Sequence, residues 1–153
     1  MHEEILILGI GNVLLGDEGV GVHAVRVMEG EILPDHVRLL DGGTGGFHLL
    51  SIFQQYKKII LIDATLDGKK PGTVSLLKPK YAKDFPNHLS AHELGLKDLL
   101  DAAFLLGNIP EIYVVAISVK EFQEMGLELT PDVEEAIELA IEKVIELVKS
   151  FSD

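Results

Sequence analysis

The stretch that decides the fold is Ile5-Leu6-Ile7-Leu8-Gly9-Ile10-Gly11-Asn12-Val13-Leu14-Leu15-Gly16-Asp17-Glu18. Its first part, from Glu4 to Gly9, is a short apolar run bounded by glycine, which is typical of a strand buried on both faces. From Asp17 to about Ile32 apolar residues return at helical spacing, which predicts a helix with Asp17 as its N-cap and Glu18 in its first turn. The chain therefore opens with a strand, a glycine-containing loop and a helix.

The same pattern returns downstream. Val37 to Leu40 predicts a second strand, followed by Asp41, a glycine-rich turn and a helix from about Phe47 to Tyr56. Lys58 to Asp63 predicts a third strand. The turn after it is too short for a crossover helix, so we expect the next strand, Thr73 to Leu77, to be antiparallel and outlying. The sheet is therefore expected to be mixed.

The second half adds one strand and two helices. Lys78 to Leu89 is predicted to be a surface loop, and Ser90 to Glu93 matches a capping box that opens a helix ending near Gly107. Ile112 to Val119 is rich in β-formers and predicts a central strand. Thr130-Pro131 opens the last helix, with proline at its first position. The residues expected to face inward from these two helices are Leu96, Leu99, Leu100, Ala103 and Leu106, then Val133, Ile137, Ala140, Ile141, Val144, Ile145 and Val148.

Composition narrows the classes of function. The 153 residues, 47% of them hydrophobic, suffice for one domain spanning residues 1–153. With 13 Lys and Arg against 25 Asp and Glu, the formal charge is −12, which disfavours nucleic acid and anionic membranes as partners. The absence of cysteine excludes disulfides, thiolate metal sites and a cysteine nucleophile. No apolar run approaches a membrane span and no signal peptide is evident, so a soluble cytoplasmic protein is expected.

Acidic residues follow three of the predicted strands. If these strands are parallel, Asp17 and Glu18, Asp41, and Asp63 meet at the edge where open α/β sheets bind ligands. With His92 they would form a site rich in oxygen that suits a divalent metal.

All of these residues except Asp63 also have a structural explanation. Asp17 could cap its helix, Asp41 could fix the turn that follows it, and His92 could bond a backbone group at the start of its helix. Acids such as Glu18 are favoured in a first helical turn by the helix dipole. Asp63 has no glycine turn to explain it.

A nucleotide site is not supported. The dinucleotide fingerprint requires a third glycine where this chain has Leu14, and the carboxylates of Asp17 and Glu18 would repel phosphate. The loop is suited to a cationic ligand.

Taken together, six windows of the chain resemble the hydrogenase maturation endopeptidases, which trim the C-terminus of the large subunit of nickel-iron hydrogenases. The resemblance runs nearly end to end, in the right order. The windows are residues 8–21, 41–44, 62–64, 71–72, 90–96 and 126–131.

The resemblance implies a three-layer α/β/α sandwich with a twisted, mostly parallel mixed sheet of about five strands. It implies that Glu18, Asp63 and His92 contact a metal, namely nickel already inserted in the hydrogenase large-subunit precursor. Another divalent ion could occupy the site in a crystal. Asp17 and Asp41 are the candidates for a general base. Ligands that share one metal should lie within about 7 Å of one another.

Two other functions use the same residues. A general metallopeptidase would hold its own metal and cut many peptides, whereas a non-catalytic nickel-binding assembly module would leave its partner's length unchanged.

Overall fold

The computed structural model describes residues 4–44, 48–79, 101–103, 105–107, 110–120 and 125–152. The predicted capping box, His92 and most of the predicted loop from Lys78 to Leu89 lie outside these residues.

A five-stranded sheet forms the centre of the molecule. Its strands are β1 (Ile5–Gly9), β2 (Val37–Asp41), β3 (Lys58–Thr65), β4 (Val74–Leu77) and β5 (Glu111–Ser118), in the spatial order β2-β1-β3-β5-β4. The neighbours β2, β1, β3 and β5 are parallel, and β4 pairs antiparallel with β5 at one edge. This confirms the predicted mixed sheet, including its outlying antiparallel strand. Asp41 belongs to β2 instead of following it, and Asp63 lies within β3 as predicted, although that strand continues to Thr65.

Helices cover both faces of the sheet. Helix α1 (Val20–Met28) and the long C-terminal helix α3 (Pro131–Ser150) pack on one face, where Ile7, Ile60 and Val115 belong to the shared core. Helix α2 (His48–Gln55) packs on the other face through Leu49 and Phe53. The predicted α/β class with two helical layers is therefore confirmed.

The predicted start of the first helix is wrong. Gly16–Gly19 forms a separate turn of 3-10 helix, and α1 begins only at Val20, with Gly19 in the N-cap position. Asp17 therefore does not cap the helix that follows it, because its carboxylate is engaged elsewhere.

The other helices agree better with the sequence pattern. Helix α3 begins at Pro131 as predicted, and the apolar side chains expected to face inward are buried, except that Ile145 is only partly buried. Residues 101–103 and 105 are helical, and Ala103 is buried as predicted. Leu106 was predicted to be buried but is 61% exposed, because it lies in the turn that follows the helix, before Gly107 at φ 77°.

No helix within the described residues is both long enough and apolar enough to cross a membrane.

Candidate functional site

The strand ends that carry the predicted acids meet at one edge of the sheet. Gly9 at the end of β1 pairs with Asp41 of β2 and with Ile62 of β3. The pairing of β1 and β3 continues one residue further, since the Ile10 N–H donates to the Ile62 carbonyl oxygen over 3.0 Å. Asp41 and Asp63 therefore both lie near the C-terminal edge of the parallel strands, as expected.

Asp41 and Asp63 nevertheless lie on opposite faces of the sheet. Side chains alternate along a strand, and Asp63 follows the side that Ile59 and Leu61 present to α2. Asp41 follows the side of Val37, towards α1, where its Oδ2 lies 3.4 Å from the Arg26 guanidinium. A shared edge therefore does not bring these two carboxylates into one cluster.

Asp41 has the structural role that the sequence offered as an alternative. Its Oδ1 accepts the Gly43 N–H over 2.9 Å, which fixes the glycine turn after β2. This glycine turn also holds the loop after β1, because the Gly43 carbonyl oxygen accepts the Gly11 N–H over 2.8 Å. Asp41 therefore stabilises the loops that follow β2 and β1.

Glu18 lies half-buried in the 3-10 turn, which packs against β3. Its backbone is fitted closely to the preceding loop: a Cβ on Gly11 would overlap the Glu18 carbonyl oxygen, and Gly11 has a φ of 142°. A Cβ on Gly21, at the start of α1, would likewise overlap the Ile62 carbonyl oxygen. Glycines therefore allow the segment that carries Glu18 to lie directly on the loop after β1, and the start of α1 to lie on β3, the strand that carries Asp63.

This fit predicts a large difference between two glycine substitutions. Gly11→Ala should lower the free energy of unfolding by about 2 kcal/mol or more, because the methyl group meets backbone and the φ is unfavourable. Gly43→Ala is the matched control: φ is 54°, but no atom lies within 4 Å of its Cβ position. Its cost should be about 1 kcal/mol. Urea unfolding of both variants measures the difference, and equal losses would contradict the close fit at Gly11.

Asp63 is fully buried, at 0% exposure, near the C-terminal end of β3. Its Oδ1 accepts the N–H of Ala64 over 2.8 Å. A charged carboxylate in such a place is costly unless donors or a cation compensate it. Titratable groups in strongly perturbing surroundings cluster at functional sites, which makes Asp63 a candidate.

Asp17 makes a contact that the sequence did not reveal. The residue is 2% exposed, and its two carboxylate oxygens accept the N–H and the Oγ1–H of Thr130, each over 2.8 Å. Both oxygens are therefore engaged by the residue at the start of α3. This geometry favours a structural role for Asp17 over the role of general base.

A second contact joins the same two segments. The Gly126 N–H donates to the Leu14 carbonyl oxygen, and the Gly16 N–H donates to the Gly126 carbonyl oxygen, both over 2.7 Å. These bonds form an isolated parallel bridge between Leu15 and Gly126. No local signal predicted the pairing, although both segments belong to the windows that carry the family resemblance.

The donor set suits a divalent metal in its chemistry. Two carboxylates and one imidazole nitrogen are ligands of hard to borderline ions. Glu18 and Asp63 lie in the described part of the chain, and His92 lies outside it. Among the described residues, no group of three or more His, Asp or Glu side chains could hold a metal ion. The proximity of all three predicted ligands stays a prediction.

Comparison with known proteins gives a consistent answer. The family model described as hydrogenase maturation protease, HycI, matches residues 22–147. The hydrogenase 2 maturation protease of Escherichia coli (strain K12) is 41% identical over 144 residues, covering 92% of this chain and 88% of that protein. The HupD hydrogenase expression/formation protein of Rhodobacter capsulatus is 35% identical over 153 residues, covering 97% of this chain and 73% of its own.

Solved structures agree. The hydrogenase maturating endopeptidase HybD from E. coli superposes with a TM-score of 0.86 at 39% identity, covering 96% of this chain and 93% of its own. The [NiFe] hydrogenase maturation protease HybD from Thermococcus kodakarensis has a TM-score of 0.76 at 28% identity, with coverages of 94% and 98%. The expected resemblance is confirmed, and the chain belongs to the hydrogenase maturation protease family of endopeptidases.

Proposed function

We propose that this protein removes the C-terminal extension of a nickel-iron hydrogenase large-subunit precursor after nickel has been inserted, and that Glu18, Asp63 and His92 recognise the metal. The observation that carries the proposal is the fully buried carboxylate of Asp63 at the C-terminal end of β3, with the segment of Glu18 packed against the same strand. Membership of an endopeptidase family supports peptide cleavage over the role of a non-catalytic assembly module.

The three side chains would bind nickel as part of the substrate. The precursor would bring the metal with its own ligands, so the protease needs only accessory contacts to sense it, and carboxylates and an imidazole supply such contacts. A bound divalent ion can polarise a carbonyl group and lower the pKa of a water molecule. The chain's own residues would orient the metal centre and so place the peptide bond beyond it.

The charge of the protein also bears on the class of its partner. A net charge of −12 opposes binding to nucleic acid and to anionic lipid, which supports a protein partner. Asp41 is an unsuitable general base in this arrangement because it lies on the face opposite Asp63 and pairs with Arg26. Asp17 is unsuitable because Thr130 engages both of its oxygens.

The direct test is to incubate the protein with nickel-loaded large-subunit precursor and to measure the mass of the product. Loss of one defined C-terminal fragment is the expected result. An unchanged mass would reject the proposal, and cleavage at several unrelated positions would favour a general metallopeptidase.

A further inference from the structure

We infer that Asp17 and Thr130 are positioning residues, whose paired side chains hold Glu18 in place for metal recognition. The inference rests on the proposed role of Glu18, and it assigns to Asp17 a task other than proton transfer. It also implies that the start of the C-terminal helix contributes to metal recognition.

The contact is short and enclosed. Two hydrogen bonds of 2.8 Å join the carboxylate of Asp17 to the N–H and hydroxyl of Thr130, across 113 residues of sequence. Asp17 is 2% exposed, so water competes little for its oxygens. The bridge between Leu15 and Gly126 adds two backbone bonds of 2.7 Å beside it. The loop is therefore held to the 126–130 segment at two points.

Thr130 does not make the hydrogen bond that is usual for a residue in its position. It is the N-cap residue of α3, where a threonine hydroxyl usually accepts a backbone N–H of its own helix. Here it makes no such capping bond, and the hydroxyl donates to Asp17 instead. The negative carboxylate also lies at the positive end of the helix dipole, which favours its position. The Thr130 side chain therefore joins the segment of Asp17 to the start of α3 instead of capping α3.

The link acts on Glu18 through the backbone. Asp17 and Glu18 are consecutive residues of one 3-10 turn, so fixing the side chain of Asp17 fixes the Cα of Glu18. On the other side, the carbonyl group of Glu18 lies against Gly11. Removal of a residue that orients a metal ligand typically lowers metal affinity or activity by 10- to 100-fold.

Four substitutions separate positioning from other roles. Asp17→Ala removes both bonds, and Thr130→Val removes the hydroxyl bond alone. Asp17→Asn retains both contacts, because its amide oxygen accepts the N–H and its NH2 group donates to the hydroxyl oxygen. Thr130→Ser retains them as well. Val144→Ala is the control for stability, since it weakens the packing of α3 without touching the link.

The measurements are kcat and KM for trimming of nickel-loaded precursor, Ni²⁺ affinity by calorimetry, and the melting temperature. Asp17→Ala and Thr130→Val should lower kcat and Ni²⁺ affinity about tenfold or more. Asp17→Asn and Thr130→Ser should stay within about threefold of the unaltered protein, a shift of less than 1 kcal/mol. Val144→Ala should lose melting temperature only. If Asp17→Ala does not fold, Thr130→Val carries the test.

Three results would overturn the inference. If Asp17→Ala and Thr130→Val behave like Val144→Ala, the link serves stability alone. If Asp17→Asn is as impaired as Asp17→Ala, the charge of Asp17 is what matters and it acts as a base or ligand. If Glu18→Gln binds Ni²⁺ and trims precursor normally, the proposed metal site fails and the positioning role fails with it. Only this last result bears on the proposed function.

Discussion

Replacing Glu18 by Gln or His92 by Ala is expected to abolish removal of the C-terminal extension and to leave the fold intact. Glu18 is half-buried in a surface turn and contributes no side chain to either apolar core. Its loss should therefore change the free energy of unfolding by no more than about 1 kcal/mol. Recognition of the metal would lose one of only three ligands. The measurement is the mass of the precursor after incubation, together with thermal unfolding of each variant.

Glu29→Gln is the matched control for Glu18→Gln. It removes one carboxylate of the same kind from an exposed position at the end of α1, and it should trim precursor at the unaltered rate. Full activity of Glu18→Gln or His92→Ala would contradict the site. A collapse of the melting temperature in either variant would indicate that its role is structural.

Trimming should require nickel in the precursor and no metal on the protease. The three proposed ligands, with no thiolate and only one histidine, would make a weak site for nickel alone, whereas a nickel ion already held by the precursor would need only additional contacts. Metal and peptide would then contribute to affinity together, which selects the loaded precursor over the empty one. The experiment compares nickel-free with nickel-loaded precursor, using protease that has first been treated with chelator. Only the loaded precursor should be shortened.

The opposite outcomes are informative. Equal cleavage of both precursors would reject metal recognition. Cleavage that returns only when zinc is restored to the protease would identify an ordinary metallopeptidase with its own ion.

The sheet could be predicted from the sequence because its signals are local. Runs such as Ile59 to Ile62 are apolar throughout, which fits strands covered on both sides, and the short turn before Val74 excluded a parallel crossover. Helix α3 was predicted with equal success, since its apolar face repeats over twenty residues and begins with proline. The shared edge of Asp41 and Asp63 follows directly from these assignments.

The geometry of the candidate site was harder to predict from the sequence, because it depends on contacts between distant segments. Whether Asp41 and Asp63 lie on the same face depends on the register of β1 with both neighbours, and the sequence does not carry that register. Asp17 was a plausible N-cap on local grounds, but its partner Thr130 lies 113 residues away. The exposure of Leu106 similarly depends on where a helix ends.

The link between Asp17 and Thr130 also bears on when the enzyme becomes competent during synthesis. Every parallel strand pair already joins distant parts of the chain, and closing such large loops is slow. Thr130 follows Asp17 by 113 residues, so the turn that carries Glu18 gains this partner only after residues 126–130 have emerged and α3 has docked. A nascent chain in which these residues have not yet emerged would therefore lack the contact that we infer positions Glu18, and it should be unable to cleave.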